Sequence, residues 1–198
     1  ALGVAEMAKK IGRGSGDYAM HVKGLELPAY DPRGAFGAAL TFAVNPRGGC
    51  HRRAWPPAKE ILGGVPPYTV EGKAEMIKGM FNDRCILHSL IVCDFHAGLI
   101  PLKMDYYAQA LSMVTGEEFS LEHLQRIAER TETLIRLFNC REGFSREDDQ
   151  IPRRILEEPL PDGPAKGKTI GQAGFDKMLD EYYALRGWDA AGCPTEET

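Results

Sequence analysis

The sequence has 198 residues, of which 43% are hydrophobic and 26% are charged, and its formal net charge is −4. This composition is that of an ordinary globular protein that can bury a core, as one large domain or two small ones. Without a long basic run it lacks the electrostatic signature of nucleic-acid binding. No apolar run approaches the roughly 20 residues that a membrane-spanning helix needs.

Helical patterns account for the first half of the chain, apart from one extended segment. Helices are expected at about residues 1–11, 35–44 and 56–62, with a short helical turn at 15–20 and the extended segment at 21–34. Pro28 and Pro32 exclude a helix from that segment. The helix at 35–44 is small and apolar on nearly every side, with Gly37 inside it, which favours close packing.

The loop from Asn45 to Arg53 combines one proline and two glycines with three arginines around a single histidine. Such a loop can bind anionic groups such as phosphates through free backbone N–H groups and guanidinium groups. A solvated basic turn explains the local pattern equally well.

The stretch from Ile86 to Phe95 is apolar enough to be buried, yet it contains His88 and Cys93. A helical pattern that starts near Glu71 leads into it, and the spacing places His88 on the inward side. Cys93 lies where the apolar run stops, and a helix end leaves backbone groups free to meet a ligand. Either this is a core helix with a small cysteine in it, which the usual burial of free cysteine favours, or it presents one thiolate to a ligand.

Further helices are expected at about residues 105–114, 121–139 and 175–186, with Ser120 as the N-cap of the second and Gly187 ending the third. The polar face of the helix at 121–139 is most simply a solvated surface. We find no credible set of paired strands. The predicted fold class is therefore mostly α, without a substantial β-sheet.

Five cysteines, at positions 50, 85, 93, 140 and 193, are scattered along the chain. No two form a C-x-x-C pair, so their spacing alone predicts no zinc or cluster site. An odd, sparse set without a secretory signal favours a reducing compartment, and a cytoplasmic protein is expected. The chain also opens in mid-helix without an initiator Met, which suggests a fragment or a processed piece.

Short motifs recur in order along nearly all of the chain. They are Leu25–Gly34 (LELPAYDPRG), Arg47–His51 (RGGCH), Phe138–Phe144 (FNCREGF), Leu156–Pro161 (LEEPLP) and Leu185–Trp188 (LRGW). Each motif is modest, but their number, order and spacing resemble the C-terminal part of the tungsten-containing aldehyde:ferredoxin oxidoreductases.

This resemblance implies a tungsten ion, less often molybdenum, held by the dithiolenes of two pterin cofactors beside a four-iron four-sulfur cluster. Cys93 matches the fourth cluster cysteine, and the other three come from an earlier part of the family's chain. His51 matches the histidine that lies against the metal. Arg47 matches a basic residue that contacts the pterin, and Arg53 matches a position held by another basic residue. Val92 matches a position whose backbone lies against the cofactor.

One departure from the family pattern concerns the residues that lead into the cysteine. The family usually has Asp-x-x-Gly-x-Cys there, with the aspartate hydrogen-bonded to a pterin ring. Here the segment from His88 to Cys93 reads His-Ser-Leu-Ile-Val-Cys. His88 can donate or accept at the pterin edge but is not a fixed anionic acceptor, and Ile91 lacks the conformational freedom of glycine.

The resemblance therefore implies that residues 1–198 are the C-terminal helical region of an enzyme that oxidises aldehydes to carboxylic acids. Its electrons would pass through the cluster to ferredoxin. The family's N-terminal pterin-binding domain and three-cysteine segment have no counterpart in these residues. The expected partners are that N-terminal part or a companion chain, ferredoxin and an aldehyde, with a homodimer as an option. The chain alone is expected to retain no cofactor. The alternative is a non-enzymatic helical module that binds a partner chain, or an inactive fragment without a cofactor.

Overall fold

The computed structural model describes residues 3–95 and 102–198. Its α-helices are α1 (Gly3–Ile11), α2 (Phe36–Val44), α3 (Pro57–Glu60), α4 (Lys73–Ser89), α5 (Met104–Thr115), α6 (Leu121–Arg141), α7 (Arg153–Glu157) and α8 (Gln172–Arg186). Short 3₁₀ helices span Ser15–Tyr18 and Pro32–Gly34. None of the helices in the described ranges is long and apolar enough to cross a membrane.

The predicted mostly α fold class is confirmed. In the residues that the structure describes, the one sheet is an antiparallel hairpin of β1 (His21–Val22) and β2 (Leu25–Glu26). Lys23 and Gly24 form its turn with φ values of 51° and 79°, the paired positive φ that two-residue hairpins favour. This hairpin lies within the segment that was predicted to be extended.

Helix α2 is the centre of the main hydrophobic core, and all nine of its residues are buried. It packs against α4 and α8, and its small side chains permit this close approach. A Cβ atom on Gly37 would lie 2.9 Å from Oε2 of Glu60 and 3.1 Å from Cβ of Pro56. A second, smaller cluster lies between α4, α5 and α6, and includes Cys85 and Ala128.

A buried network of charged and polar groups joins α4, α6 and α8. Arg186 donates hydrogen bonds to Oδ1 of Asn82 at 2.8 Å and to Oε2 of Glu129 at 2.6 Å. On the same polar side of α6, Gln125 donates to Asp83 at 2.8 Å. The expectation that this face is simply solvated is therefore wrong at Gln125 and Glu129, because α4 and α8 supply partners for them.

The C-terminal residues pack against α6 and α8. Cys140 and Cys193 form a disulfide, a bond that was not predicted from the sequence and that goes against the reducing compartment expected from the cysteine pattern. Nearby, Nε of Arg136 donates a 2.6 Å hydrogen bond to the carbonyl oxygen of Gly192, and the guanidinium lies 5.0 Å from the ring centre of Trp188. These contacts fix the end of the chain to α6.

Candidate functional site

The loop from Asn45 to Arg53 is shaped by its contact with the β-hairpin. A Cβ atom on Gly48, whose φ is +93°, would lie 2.0 Å from the carbonyl oxygen of Val22. A Cβ atom on Gly49 would lie 2.7 Å from the carbonyl oxygen of Leu25. Both glycines are therefore required by the close approach of two backbones.

Backbone donors that an anion would need are engaged by the hairpin or by other residues of the loop. Gly48 donates its N–H to Asn45 at 3.0 Å, Gly49 to Val22 at 3.4 Å, and Cys50 to Gly48 at 2.6 Å, in each case to a carbonyl oxygen. The interpretation of this loop as a cradle of free N–H groups is therefore wrong at these three positions. Its guanidinium groups remain as candidates for binding anions.

Arg47 lies on the surface of the loop and contacts a buried thiol. Its Nη2 atom is 2.8 Å from Sγ of Cys50, and the backbone N–H of Arg52 is 3.4 Å from the same sulfur. Cys50 is buried and acts as an acceptor inside the loop. Its role is to shape the loop from within.

Arg53 connects this loop to α6. Its guanidinium lies 3.5 Å from Oε1 of Glu132, which is buried on the inner face of that helix. Burial raises the pKa of Glu132, and the positive charges of Arg186 and Arg53 oppose this rise. Arg53 is thus oriented by a carboxylate on α6.

Helix α4 ends earlier than the apolar pattern predicted. Ile86 and Leu87 are buried as expected, but the helix stops at Ser89 and the chain turns at Ile91, whose φ is +56°. Ile91 is 93% exposed and Cys93 is also exposed. The prediction of a buried run therefore holds for Ile86 and Leu87 and is wrong for most of the residues after them, although Asp94 is buried. Val92, next to the cysteine, is partly buried, and its N–H is bonded within the turn.

The prediction that His88 points inward is also wrong. Its side chain is exposed, and Nε2 lies 3.7 Å from Oδ2 of Asp94. Partial desolvation lowers the pKa of His88, as does the nearby charge of Arg53, while Asp94 opposes them. The last turn of α4 therefore faces a charged cluster, although helical spacing had assigned His88 to the core.

Asp94 is the centre of this cluster. It is 7% exposed and forms an ion pair with Arg52. Arg84 approaches its carboxylate at 3.4 Å and donates a 2.7 Å hydrogen bond to its backbone carbonyl oxygen. The guanidinium of Arg52 also lies 4.7 Å from the ring centre of Phe95. These contacts join the loop that carries His51 to the segment that carries Cys93.

His51 lines a cavity of about 150 Å³ beside this cluster. The other lining residues are Tyr30, Arg52, Trp55, Arg84, Asp94 and Phe95. The ring of Tyr30 is 5.4 Å from the imidazole, centre to centre. Partial burial lowers the pKa of His51, and Arg52 lowers it further, while Asp94 opposes them. A neutral imidazole therefore faces the cavity at neutral pH.

The structure thus brings His51 close to the residue that follows Cys93, and places Arg53 and His88 near the same cluster. It does not bring a full set of metal ligands together: in residues 3–95 and 102–198 no three His, Cys, Asp or Glu side chains form a group that could hold a metal ion. Arg52, Arg84 and Asp94 were not predicted as site residues. Sequence adjacency could have identified two of them, because Asp94 directly follows Cys93 and Arg52 directly follows His51, whereas no sequence signal points to Arg84.

Comparisons with known proteins agree with the sequence motifs. All 198 residues match the family model described as aldehyde ferredoxin oxidoreductase, domains 2 & 3. The chain belongs to this family. The resemblance that the motifs indicated is confirmed, and the region matched is the C-terminal part of the family's fold.

Curated relatives extend this result. The tungsten-containing aldehyde ferredoxin oxidoreductase of Pyrococcus furiosus is 40% identical over 184 residues, which cover 90% of this chain and 30% of the relative. The enzyme of the same name from Thermococcus kodakarensis is 38% identical, with the same coverage. The WOR-like subunit of an aliphatic sulfonate oxidoreductase from Pyrococcus furiosus is 30% identical over 91% of this chain and 27% of its own. The chain thus spans about 30% of the length of these relatives.

A solved structure shares the fold. The active site complex BamBC of benzoyl coenzyme A reductase, determined with 1,5-dienoyl-CoA, superposes with a TM-score of 0.67. The match covers 98% of this chain and 34% of the other, at 21% identity. At this identity the comparison shows a common fold for the helical region.

Proposed function

We propose that this chain is the C-terminal part of an aldehyde oxidoreductase with a tungsten or molybdenum bis-pterin cofactor and a four-iron four-sulfur cluster. The enzyme oxidises aldehydes to carboxylic acids and passes the electrons to ferredoxin. One observation carries the proposal: the ion pair of Arg52 with Asp94 joins the loop of His51 to the segment of Cys93, beside one cavity.

Cys93 supplies one thiolate to the cluster. Its thiol is free and exposed just after a helix end, so a partner can reach it. A single thiolate cannot hold a four-iron cluster, and the described residues offer no further ligands grouped with it. The remaining ligands therefore come from the part of the enzyme that this chain does not span, which is about 70% of the length of its relatives.

Arg47, Arg53, His88 and Val92 contact the pterin. The guanidinium groups of Arg47 and Arg53 offset phosphate charge, which Arg does well because its planar fork donates two hydrogen bonds at once. His88 is exposed and can donate or accept at a ring edge. Since the N–H of Val92 is already bonded to Leu87, a backbone contact of this residue with the pterin would be made by its carbonyl oxygen.

His51 acts at the reacting aldehyde. The bound cofactor supplies the two-electron redox chemistry, and the protein supplies orientation and electrostatics. Because its pKa is lowered, His51 is neutral at neutral pH and one ring nitrogen is free to accept a proton. Tyr30 and Arg52 flank the imidazole and limit its positions.

The other partners follow from the same proposal. The remainder of the enzyme covers the surface around Cys93, a ferredoxin accepts electrons from the cluster, and two copies of the enzyme form a homodimer. The enzyme is cytoplasmic, where a reduced ferredoxin pool can be maintained.

Two variants of the complete enzyme test the proposal. His51→Ala should lose most of its aldehyde-dependent ferredoxin reduction and keep its tungsten or molybdenum, whereas His123→Ala, a histidine on α6 that does not line the cavity, should stay active. Cys93→Ser should lose iron, whereas Cys85→Ala, at a buried thiol, should keep it. Full activity in His51→Ala or full iron content in Cys93→Ser would refute the assigned roles. A complete, colourless protein without iron would favour the helical partner-binding module.

A further inference from the structure

The residue after His51 is paired with the residue after Cys93. Arg52 and Asp94 are 42 positions apart, and their ion pair is the closest link between the two segments among the contacts described here. Any displacement of Asp94 is therefore transmitted to the neighbouring thiol on one side and to the His51 loop on the other.

We infer that Asp94 is a positioning residue that fixes the Cys93 thiol relative to His51. This inference rests on the proposed function, in which both residues serve one redox centre. Asp94 lines the same cavity as His51, but in this scheme it is not itself a catalytic group. It acts through the backbone of residue 93 and through Arg52.

The contacts of Asp94 hold its main chain as well as its side chain. Arg84 reaches the carboxylate at 3.4 Å and the carbonyl oxygen of the same residue at 2.7 Å. One guanidinium on the rigid α4 helix thus fixes both parts of Asp94. With Arg52 on the other side, the buried carboxylate has two cationic partners from two different elements, and His88 is a third neighbour at 3.7 Å.

Within residues 3–95 and 102–198, the segment that leads to Asp94 has few contacts of its own. Ile91 is almost fully exposed and Cys93 is exposed, so hydrophobic packing does not fix either residue. The segment is held at its start by the hydrogen bond from Val92 to Leu87 and at its far end by Asp94. Cys93 lies between these two anchors. Releasing the second anchor leaves the thiol free to move with its backbone.

Asp94→Asn in the complete enzyme tests this role, because it keeps the shape of the side chain and removes its charge. We expect the variant to fold and to alter the electron paramagnetic resonance signal and the midpoint potential of the cluster. We also expect kcat to fall by about tenfold or more with little change in KM, since a small misplacement of reacting groups is costly. Asp94→Glu keeps the negative charge, so its cluster signal should be closer to that of the wild type than the signal of Asp94→Asn.

Two further variants separate positioning from general stability. Arg84→Lys keeps a positive charge on a shorter side chain, which weakens the contacts that Nη1 of Arg84 makes with both the carboxylate and the carbonyl oxygen of Asp94. It should therefore shift the cluster signal in the same direction as Asp94→Asn and by less. Asp180→Asn, the control, removes an exposed carboxylate paired with Arg146 and should leave signal and kcat unchanged. A wild-type signal and potential in Asp94→Asn would overturn the inference.

The inference and the proposed function can fail separately. If Cys93→Ser loses iron but Asp94→Asn keeps the wild-type cluster signal, only the inference fails. If Cys93→Ser keeps its iron, the proposed ligand is wrong, and Cys93 is then a free thiol whose alkylation rate can be measured in the complete protein. That rate should change by at least about threefold in Asp94→Asn because the thiol is no longer held in one position by its backbone. An unchanged rate would overturn the positioning role.

Discussion

The backbone N–H of Val92 donates a hydrogen bond of 2.9 Å to the carbonyl oxygen of Leu87. One residue earlier, Ile91 donates to His88 at 3.1 Å. This pair of bonds is the Schellman motif, which ends a helix with one residue in the left-handed conformation. Ile91 occupies that position, where the family motif usually has glycine. A β-branched side chain is therefore held in a conformation that glycine adopts freely.

Replacing Ile91 with glycine should increase the free energy of unfolding by about 1 kcal/mol. The left-handed conformation costs a non-glycine residue about 1–2 kcal/mol, and Ile91→Gly removes this strain. The greater conformational entropy of glycine in the unfolded chain offsets about half of the stabilisation. Little packing is lost because Ile91 is exposed. Urea unfolding followed by circular dichroism measures the change. As a control, Met113→Gly, at an 84% exposed site in α5, should lower stability by about 1 kcal/mol. Destabilisation by both variants would contradict the expected relief of strain.

Gly48→Ala should be far more damaging than Gly64→Ala. Both glycines have positive φ, at 93° and 81°, so both variants incur backbone strain of about 1 kcal/mol. A Cβ atom at Gly48 would lie 2.0 Å from the carbonyl oxygen of Val22, whereas at Gly64 it meets no described atom within 4 Å. In Gly48→Ala the hairpin must therefore move away from the loop. We expect the free energy of unfolding of this variant, measured in urea, to fall by at least about 3 kcal/mol. Equal losses for the two variants would show that the contact with Val22 is unimportant.

Features that depend on local sequence were predictable. Helices α5, α6 and α8 follow from apolar residues at helical spacing, and Ser120 caps α6 by accepting a 3.1 Å hydrogen bond from the N–H of His123. The β-hairpin was not predicted, because its turn pairs Lys23 with Gly24 in place of the more usual Asn-Gly. With only two residues in each strand, it also shows no alternation of polar and apolar residues.

The candidate site was predictable only in part. His51, Cys93 and the arginines were found because short motifs resemble a known family. The ion pair of Arg52 with Asp94 was missed, because residues 42 positions apart meet only through the packing of α4 against the loop. His88 was assigned to the core because helical spacing shows which residues share a face of the helix, but not how far along the helix other elements cover that face. The remaining ligands of the proposed metal centre were not predicted, because they belong to the part of the enzyme that this chain does not span.

Tyr182 should make the stability of the protein depend on pH in alkaline solution. Burial raises the pKa of its hydroxyl to about 12, although Arg186 donates a 3.1 Å hydrogen bond to it. The unfolded chain releases this proton near its ordinary pKa of 10.0, and the folded chain keeps it until about pH 12. The folded state thus binds more protons in this window, and the free energy of unfolding falls as the pH rises through it, by about 3 kcal/mol from this group.

Tyr182→Phe tests this pH dependence. At neutral pH the free energy of unfolding of the variant should be about 1 kcal/mol lower, because the hydrogen bond from Arg186 is lost. Between about pH 10 and 12 it should lose less stability than the wild type, because the titrating hydroxyl is gone. Urea midpoints measured across this range give the difference. Tyr18→Phe, at a 72% exposed tyrosine, should follow the wild type closely. If the urea midpoints of wild type and Tyr182→Phe fell in parallel with pH, Tyr182 would not be the source of the pH dependence.

The carboxylate of Asp149 should be among the most important single groups for stability. It is fully buried, forms an ion pair with Nζ of Lys23 at 2.6 Å, and accepts hydrogen bonds from Nη1 of Arg136 at 3.1 Å and from the hydroxyl of Tyr183 at 2.5 Å. Burial lowers the pKa of Lys23, and Asp149 opposes this effect. Asp149→Asn leaves both cations without an anionic partner, so we expect a loss of about 3–5 kcal/mol in urea unfolding.

A double-mutant cycle with Lys23→Met distinguishes the loss of this charge pair from a general loss of packing. Methionine has a similar length to lysine but no charge to leave unpaired, so the double variant should recover about 1–3 kcal/mol relative to the sum of the single losses. Asp180→Asn, at an exposed ion pair, should cost less than about 1 kcal/mol. Strictly additive losses in the cycle would mean that Lys23 and Asp149 are not coupled, and that the hairpin is held against α6 and α8 by other contacts.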